Sequence, residues 1–332
     1  MHHAIPAPGL ADGACADQPF EDEAIAVRAL AKSFGDLRAV QDISLTVRAG
    51  EICSLLGPNG AGKSTTIAII SCLLAPDAGD VRVLGHSVRD DPGAVKACLG
   101  VVPQEIAIYP DLSARENLVF WGKMYGLRGK PLGRRVDEVL EVIGLTDRQT
   151  GRTSRFSGGM KRRLNIGIAL LHQPRVVIMD EPTVGIDPQS RRSILDSVRT
   201  LNRQGATVLY TTHYMEEAQE LSDHIAIMDR GRIIAEGTHA ELVRMVGELD
   251  RLDLAVDAPA ERVAGLWRGL EGVSSVSAGD DRLTVLAADS NRVLPRLFEA
   301  ANASGVRVTS VEIREPNLET VFLQLTGRAL RD

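Results

Sequence analysis

Apolar positions along the chain follow two rhythms, one of period two or continuous, the other of helical spacing. The first marks strands at Ala24–Leu30 and Ala39–Val47, where Val40, Ile43, Leu45 and Val47 alternate with polar neighbours. A continuous run (Ile52, Cys53, Leu55, Leu56) reads as a buried strand, and Asp80–Leu84, Leu99–Val102, Val176–Met179 and Ala206–Thr211 read likewise. The second rhythm marks helices: Thr65–Ile70, then Leu118, Trp121, Met124 and Tyr125 on one side of a helix ended by Gly126. That helix opens on the capping box Ser113-Ala114-Arg115-Glu116. Helical spacing recurs at Val136, Val139, Leu140 and Ile143, at Leu164, Ile168 and Leu171, and over Arg191–Asn202. Ile225–Asp229 and Arg232–Glu236, joined at Arg230-Gly231, read as a hairpin. Strands alternating with helices predict an α/β core, interrupted by an α-helical insert at about 105–155.

Past Leu242 the pattern changes to strand (Asp253–Val256), helix (Ala260–Leu270), two strands (Val273–Ser277, Arg282–Ala287), helix (Asn291–Ala303) and strand (Val306–Ile313). This βαββαβ order predicts a small ferredoxin-like α+β domain over 250–332, following a first domain over 23–243. A final helix follows Pro316, with Leu318, Val321, Phe322 and Leu325 as its apolar face. Residues 1–22, rich in Ala, Pro, Gly and Asp and lacking the parts of a signal peptide, read as a disordered tail.

Composition narrows the function classes. The chain has 332 residues, 38 Lys and Arg against 44 Asp and Glu, and a net charge of −6, so no global field favours nucleic acid. The longest apolar stretch, Ile67–Ala75, includes Ser71 and is far too short to span a bilayer. Any membrane role must come through a partner chain. Cys15, Cys53, Cys72 and Cys98 show no metal-binding spacing; Cys53 and Cys98, in apolar strand-like runs, read as buried reduced thiols, as in a reducing cytoplasm.

The decisive chemistry is Gly57-Pro58-Asn59-Gly60-Ala61-Gly62-Lys63-Ser64-Thr65, set between the apolar strand and a helix. Glycines let backbone N–H groups turn inward around a triphosphate, and the helix N-terminus adds its positive end. Lys63 can reach the β- and γ-phosphates and the Ser64 hydroxyl can ligate Mg²⁺. Strand Val176–Met179 ends in Asp180-Glu181, placed to anchor Mg²⁺ and to polarise the attacking water. Other candidates have two readings each. Phe34 is either a loop residue packing on its hairpin or a platform for an adenine ring. Gln104, at a strand end, either reaches a metal or water or is solvated. Ser157-Gly158-Gly159 is either an anion site at a helix start or an N-cap followed by flexible glycines. His213 is either an ordinary lone histidine or a ligand contact, and its place just past a strand, on the edge where open α/β sheets bind ligands, argues for the second.

Together these residues, with Gly185-Ile186-Asp187, resemble the ATP-binding subunits of ABC transporters over about Ala24 to Val243. The resemblance implies a P-loop NTPase core with an antiparallel β subdomain and the helical insert. It further implies Phe34 stacking on adenine, and a head-to-tail homodimer in which Ser157 and Gly159 of one copy cover the γ-phosphate held by the other, with Gly158 and Asp187 also among the nucleotide-binding residues. Mg²⁺ would be held by Ser64, Asp180 and Gln104, Glu181 would be the base, and His213 would touch the γ-phosphate. A separate polytopic permease would be driven from the cytoplasmic face of the membrane, its helix docking near Tyr109-Pro110. Where the family usually has Gln after Ser-Gly-Gly, this chain has Met160-Lys161; that variant and the stretch from Glu315 to Arg328 resemble the daunorubicin-resistance branch of drug exporters. The competing expectation is an ABC-type ATPase acting on DNA or ribosomes, which commonly carries two fused ATPase units or a coiled-coil insert; this sequence shows one phosphate loop and no such insert.

Overall fold

A computed structural model describes residues 22–245, 249–279, 282–314 and 317–326; the expected tail up to residue 21, and residues 315, 316 and 327–332, lie outside them. The chain divides into two compact units, with the break between Thr238 and His239.

The first unit opens on β1 (Glu23–Phe34) and β2 (Leu37–Arg48), an antiparallel pair that continues through β4 (Ala78–Val83) and β5 (His86–Ser87) into a four-stranded sheet. β1 runs through Lys32, Ser33 and Phe34, so the expected five-residue turn shrinks to Gly35-Asp36. A second, six-stranded sheet holds the phosphate-loop strand β3 (Ile52–Leu56) at its centre. It also contains β6 (Leu99–Val102), β7 (Val176–Asp180), β8 (Thr207–Thr212), and the hairpin β9 (His224–Asp229) and β10 (Arg232–Gly237), in the order β10-β9-β3-β8-β7-β6. Strands β9, β3, β8, β7 and β6 are parallel, and only the β9–β10 pair is antiparallel.

Strand periodicity sorts this sheet's residues into two cores. Val176 and Ile178 pack with the β1–β2 sheet and α1 (Lys63–Ile70), whereas Val177 and Met179 pack with the helices of the opposite face. Those helices include α3 (Ala114–Met124), α4 (Gly129–Val142), α5 (Gly158–Leu170) and α6 (Pro188–Arg203). α4 buries Leu132, Val136, Val139 and Leu140, each burial contributing about 1.5–3 kcal/mol relative to exposure. The capping box at Ser113 and Glu116 is formed. On α3, however, Leu118 is buried beside Asn117, while Met124 is 68% exposed and Tyr125 42% exposed, so the expected four-residue stripe is only partly a core face. Two short helices went unread in the sequence, α2 (Pro92–Cys98) and α7 (Met215–Leu221). Cys98 is buried as expected but closes α2 rather than lying in a strand.

The second unit starts with α8 (His239–Met245), also unread in the sequence, and continues with β11 (Asp250–Val256), α9 (Ala260–Trp267), β12 (Val273–Ala278), β13 (Leu283–Ala287), α10 (Ser290–Ala303) and β14 (Val308–Arg314). The sheet order β12-β13-β11-β14, with all pairs antiparallel, is that of a ferredoxin-like sandwich. Its core gathers Leu252, Leu254, Trp267, Val285 and Leu297. α11 (Leu318–Thr326) packs on α8; it buries Leu318, Val321 and Phe322 but leaves Leu325 exposed.

Candidate functional site

The parallel strands β3, β7 and β8 end on the same edge, and the loop after each carries site residues. After β3 the chain turns through Gly62 at φ 105°, a left-handed conformation that suits glycine; a Cβ there would lie 2.4 Å from the Ala39 carbonyl oxygen. The first bond of α1 runs from the Thr66 N–H to the Gly62 carbonyl at 2.9 Å. The amides of Lys63, Ser64 and Thr65 therefore precede any intrahelical acceptor and point off the helix start. Free amides at a helix start suit an anion.

The Lys63 side chain curls over its own loop, donating to the carbonyls of Gly57 (2.7 Å) and Pro58 (3.1 Å). Its Nζ also lies 3.0 Å from Glu181 Oε1, with both side chains about one-twentieth exposed. Three elements meet at Glu181. Lys63 comes from the loop after β3, His213 Nδ1 approaches to 3.3 Å from the residue following β8, and Gln104 Nε2 donates at 3.4 Å from the loop after β6. Glu181 itself has φ 44°, an unfavourable conformation for a side-chain-bearing residue that costs about 1 kcal/mol. Its N–H donates to Thr211 Oγ1 at 2.9 Å, and the same hydroxyl donates to Asp180 Oδ1 at 2.7 Å. Thr211 thus fixes the Asp180 carboxylate and the Glu181 backbone at the end of β7. Its sequence signal was weak, because a threonine inside an apolar strand reads as an ordinary β-former.

Ser157, Gly158, Gly159 and Asp187 converge elsewhere. Ser157 is the N-cap of α5, accepting from the Met160 N–H at 3.3 Å, and Asp187 is the N-cap of α6, accepting from the Ser190 N–H at 2.9 Å. The Ser190 N–H and hydroxyl hold the Asp187 carboxyl below its usual range. A Cβ on Gly159 would fall 2.1 Å from Ser190 Oγ, so this glycine lets the starts of α5 and α6 touch. Phe34 stands apart from both groups at the tip of its hairpin, 50% exposed, with Lys32 Nζ 5.7 Å from its ring centre.

The loop that carries Gln104 is strapped to α5 at two points. Arg162 on α5 donates to the Pro103 carbonyl at 2.9 Å, and Asn165 Oδ1 accepts from the Ala107 N–H at 3.2 Å. Farther on, Asn117 of α3 brackets Tyr109, accepting from its N–H (2.8 Å) and donating to its carbonyl (3.0 Å). Tyr109 lies in an aromatic cluster with Phe120, its ring 4.7 Å away edge-on, and Trp121.

The donors near Lys63 suit a hard divalent cation such as Mg²⁺: the Ser64 hydroxyl, the Asp180 carboxylate and the Gln104 amide oxygen. Among the described residues no group of three or more His, Cys, Asp or Glu could hold a metal, so water or phosphate oxygens would have to complete its coordination.

A family profile described as ABC transporter matches residues 40–184, which include the phosphate loop, Ser157–Gly159 and Asp180-Glu181. The linearmycin resistance ATP-binding protein LnrL of Bacillus subtilis is 48% identical over 303 residues, covering 91% of this chain and 97% of that one. This chain is an ABC transporter ATP-binding protein. As a member of that family it binds ATP, and the family is one of ATPases. The daunorubicin resistance ATP-binding protein DrrA3 of Streptomyces coeruleorubidus is 39% identical, over 92% of this chain and 96% of that one. Nod factor export ATP-binding protein I of Paraburkholderia xenovorans is 37% identical, over 91% of this chain and 96% of that one. A dimeric structure of the ATP-binding cassette MJ0796 with ADP and Pi aligns at TM-score 0.59 and 26% identity, covering 64% of this chain and 98% of that one. No helix among the described residues is long and apolar enough to cross a membrane.

Proposed function

We propose that this ABC protein is the ATPase half of a two-component exporter, driving a separate polytopic permease from the cytoplasmic face of the membrane. The observation that carries the reading is the convergence of Lys63, His213 and Gln104 on the buried carboxylate of Glu181. In this reading the amides of Gly60 and Gly62, with Lys63, hold the β- and γ-phosphates, and Phe34 stacks on adenine. Ser64, with Asp180 and Gln104 nearby, would hold Mg²⁺, which would supply positive charge to offset that of the phosphates. Glu181 takes the proton of the attacking water as its oxygen bonds the γ-phosphorus and the bond to the leaving ADP oxygen breaks. His213 contacts the γ-phosphate. Ser157, Gly159 and Asp187 of a second copy cover the nucleotide, so hydrolysis waits on closure of the homodimer.

The straps on the Gln104 loop support a transmission route. Arg162 and Asn165 tie it to the helix that begins at Ser157, and Asn117 ties its far end to the aromatic cluster. With Tyr109 44% and Phe120 36% exposed, that cluster offers an apolar face for a cytoplasmic helix of the permease. The resistance and export roles in the relatives' names support a drug or other amphipathic compound as cargo. The residues 23–243 and 250–332 are taken as the ATPase and an accessory or regulatory domain.

The test is a mild-detergent pull-down of the tagged protein from its own cells. A co-purifying polytopic membrane protein, stoichiometric with this chain, is the expected result. Recovery with ribosomes or nucleic acid and no membrane protein would overturn the transport reading.

A further inference from the structure

Glu217, on α7, is 2% exposed and takes no part in the site above. Its Oε2 accepts three hydroxyl hydrogen bonds, from Thr183 (2.9 Å), Tyr210 (2.9 Å) and Thr212 (3.0 Å). Its Oε1 faces Arg191 Nε at 3.5 Å. A buried carboxylate is tolerated only when it is hydrogen-bonded and paired in this way. Burial and the neighbouring Glu217 charge push the Tyr210 phenol well up, which keeps it a donor.

The three partners other than Tyr210, which lies within β8, are each tied to a segment of the site. Thr183 stands two residues past Glu181, and its carbonyl accepts from the Ile186 N–H at 3.2 Å, in the turn that leads to Asp187. Thr212 directly precedes His213, and its hydroxyl also accepts from the Tyr214 N–H at 2.9 Å, so bonds flank His213 on both sides. Arg191 donates its N–H to the Asp187 carbonyl at 2.9 Å, and its guanidinium sits 4.4 Å from the Tyr214 ring centre. The Tyr214 ring in turn leans on the His213 ring at 4.2 Å. One carboxylate therefore joins the Glu181 turn, the His213 loop and the helix that starts at Asp187.

We propose that Glu217 is a positioning residue for ATP hydrolysis, its charge holding the His213 loop and the Asp187 helix in one frame against Glu181. The proposal rests on the ATPase reading of the Lys63–Glu181 site. Its charge matters separately from its volume: a glutamine of the same shape puts an NH₂ group where either Arg191 or the three hydroxyl donors stand. Displacement of a catalytic group by about 1 Å lowers turnover by about 100-fold, with little effect on substrate affinity made elsewhere.

The experiment measures kcat and KM for MgATP, affinity for a fluorescent ATP analogue, and Tm, on the full chain and its Glu217→Gln, Arg191→Gln and double variants. For Glu217→Gln we expect kcat about 10- to 100-fold down, with KM, analogue affinity and Tm near the parent values. Arg191→Gln, at a one-third-exposed side chain, should fold normally and lose kcat about 3- to 10-fold; the double variant should be no worse than Glu217→Gln alone. A Glu217→Gln kcat within twofold of the parent overturns the proposal, as does activity loss that follows a fall in Tm and recovers on cooling the assay. Should Glu217→Gln not fold, Arg191→Gln decides, and an unchanged kcat there also overturns it. Absence of hydrolysis by the unaltered chain overturns the ATPase reading itself, and is seen before any substitution is compared.

Discussion

Two groups of candidate site residues in the ATPase unit are built differently. Around Glu181 the side chains come from four loops and bond to one another inside the protein, with Lys63 and Glu181 both about one-twentieth exposed. Around Ser157 and Asp187 the polar groups are satisfied within their own helix caps and the two helix starts touch through Gly159 and Ser190. The first face has the positive charge and free amides to hold a phosphate by itself. The second is a preformed surface of helix caps and small residues. In the proposed homodimer, binding belongs to one face and completion of the site belongs to the other.

Substitutions should separate the two faces. The largest effect falls on the first. Lys63→Ala removes the one ammonium of the loop and should weaken ATP affinity by about 10- to 100-fold, the cost of a lost charged hydrogen bond or two. Equilibrium titration with a fluorescent ATP analogue checks this, and full retained affinity would dissolve the distinction. A smaller effect on binding marks the second face. Ser157→Arg should leave analogue affinity within about threefold of the parent while turnover falls by about 100-fold, since it obstructs only the contact with the second copy's nucleotide. Loss of affinity equal to that in Lys63→Ala would place Ser157 on the first face instead.

The sequence made these faces legible to different degrees. The phosphate loop, the Asp180-Glu181 pair and the capping box at Ser113 are contiguous patterns whose physics is local, and each stands where the sequence put it. The ferredoxin-like order of the second unit was legible for the same reason, through its alternating strand and helix periods. Thr211 and Glu217 were not. Their partners Asp180 and Thr183 lie more than 30 residues away, and nothing local distinguishes a hydroxyl or carboxylate that will be buried from one that will be solvated. Helices α2, α7 and α8 have seven residues each, too few for a 3.6-residue period to declare itself. Met124 and Tyr125 were misread for the opposite reason: periodicity finds an apolar stripe but not what covers it.

The central claim, that two copies close over ATP, is tested most directly by the mass of the Glu181→Gln chain in solution. With its base removed, this variant should bind MgATP without hydrolysing it and hold the closed pair. Size-exclusion chromatography with light scattering should give a monomer without nucleotide and a dimer with MgATP, reverting to monomer when Ser157→Arg is added. A Glu181→Gln chain that binds ATP yet remains monomeric at every protein concentration, or that hydrolyses it at the parent rate, would contradict the account.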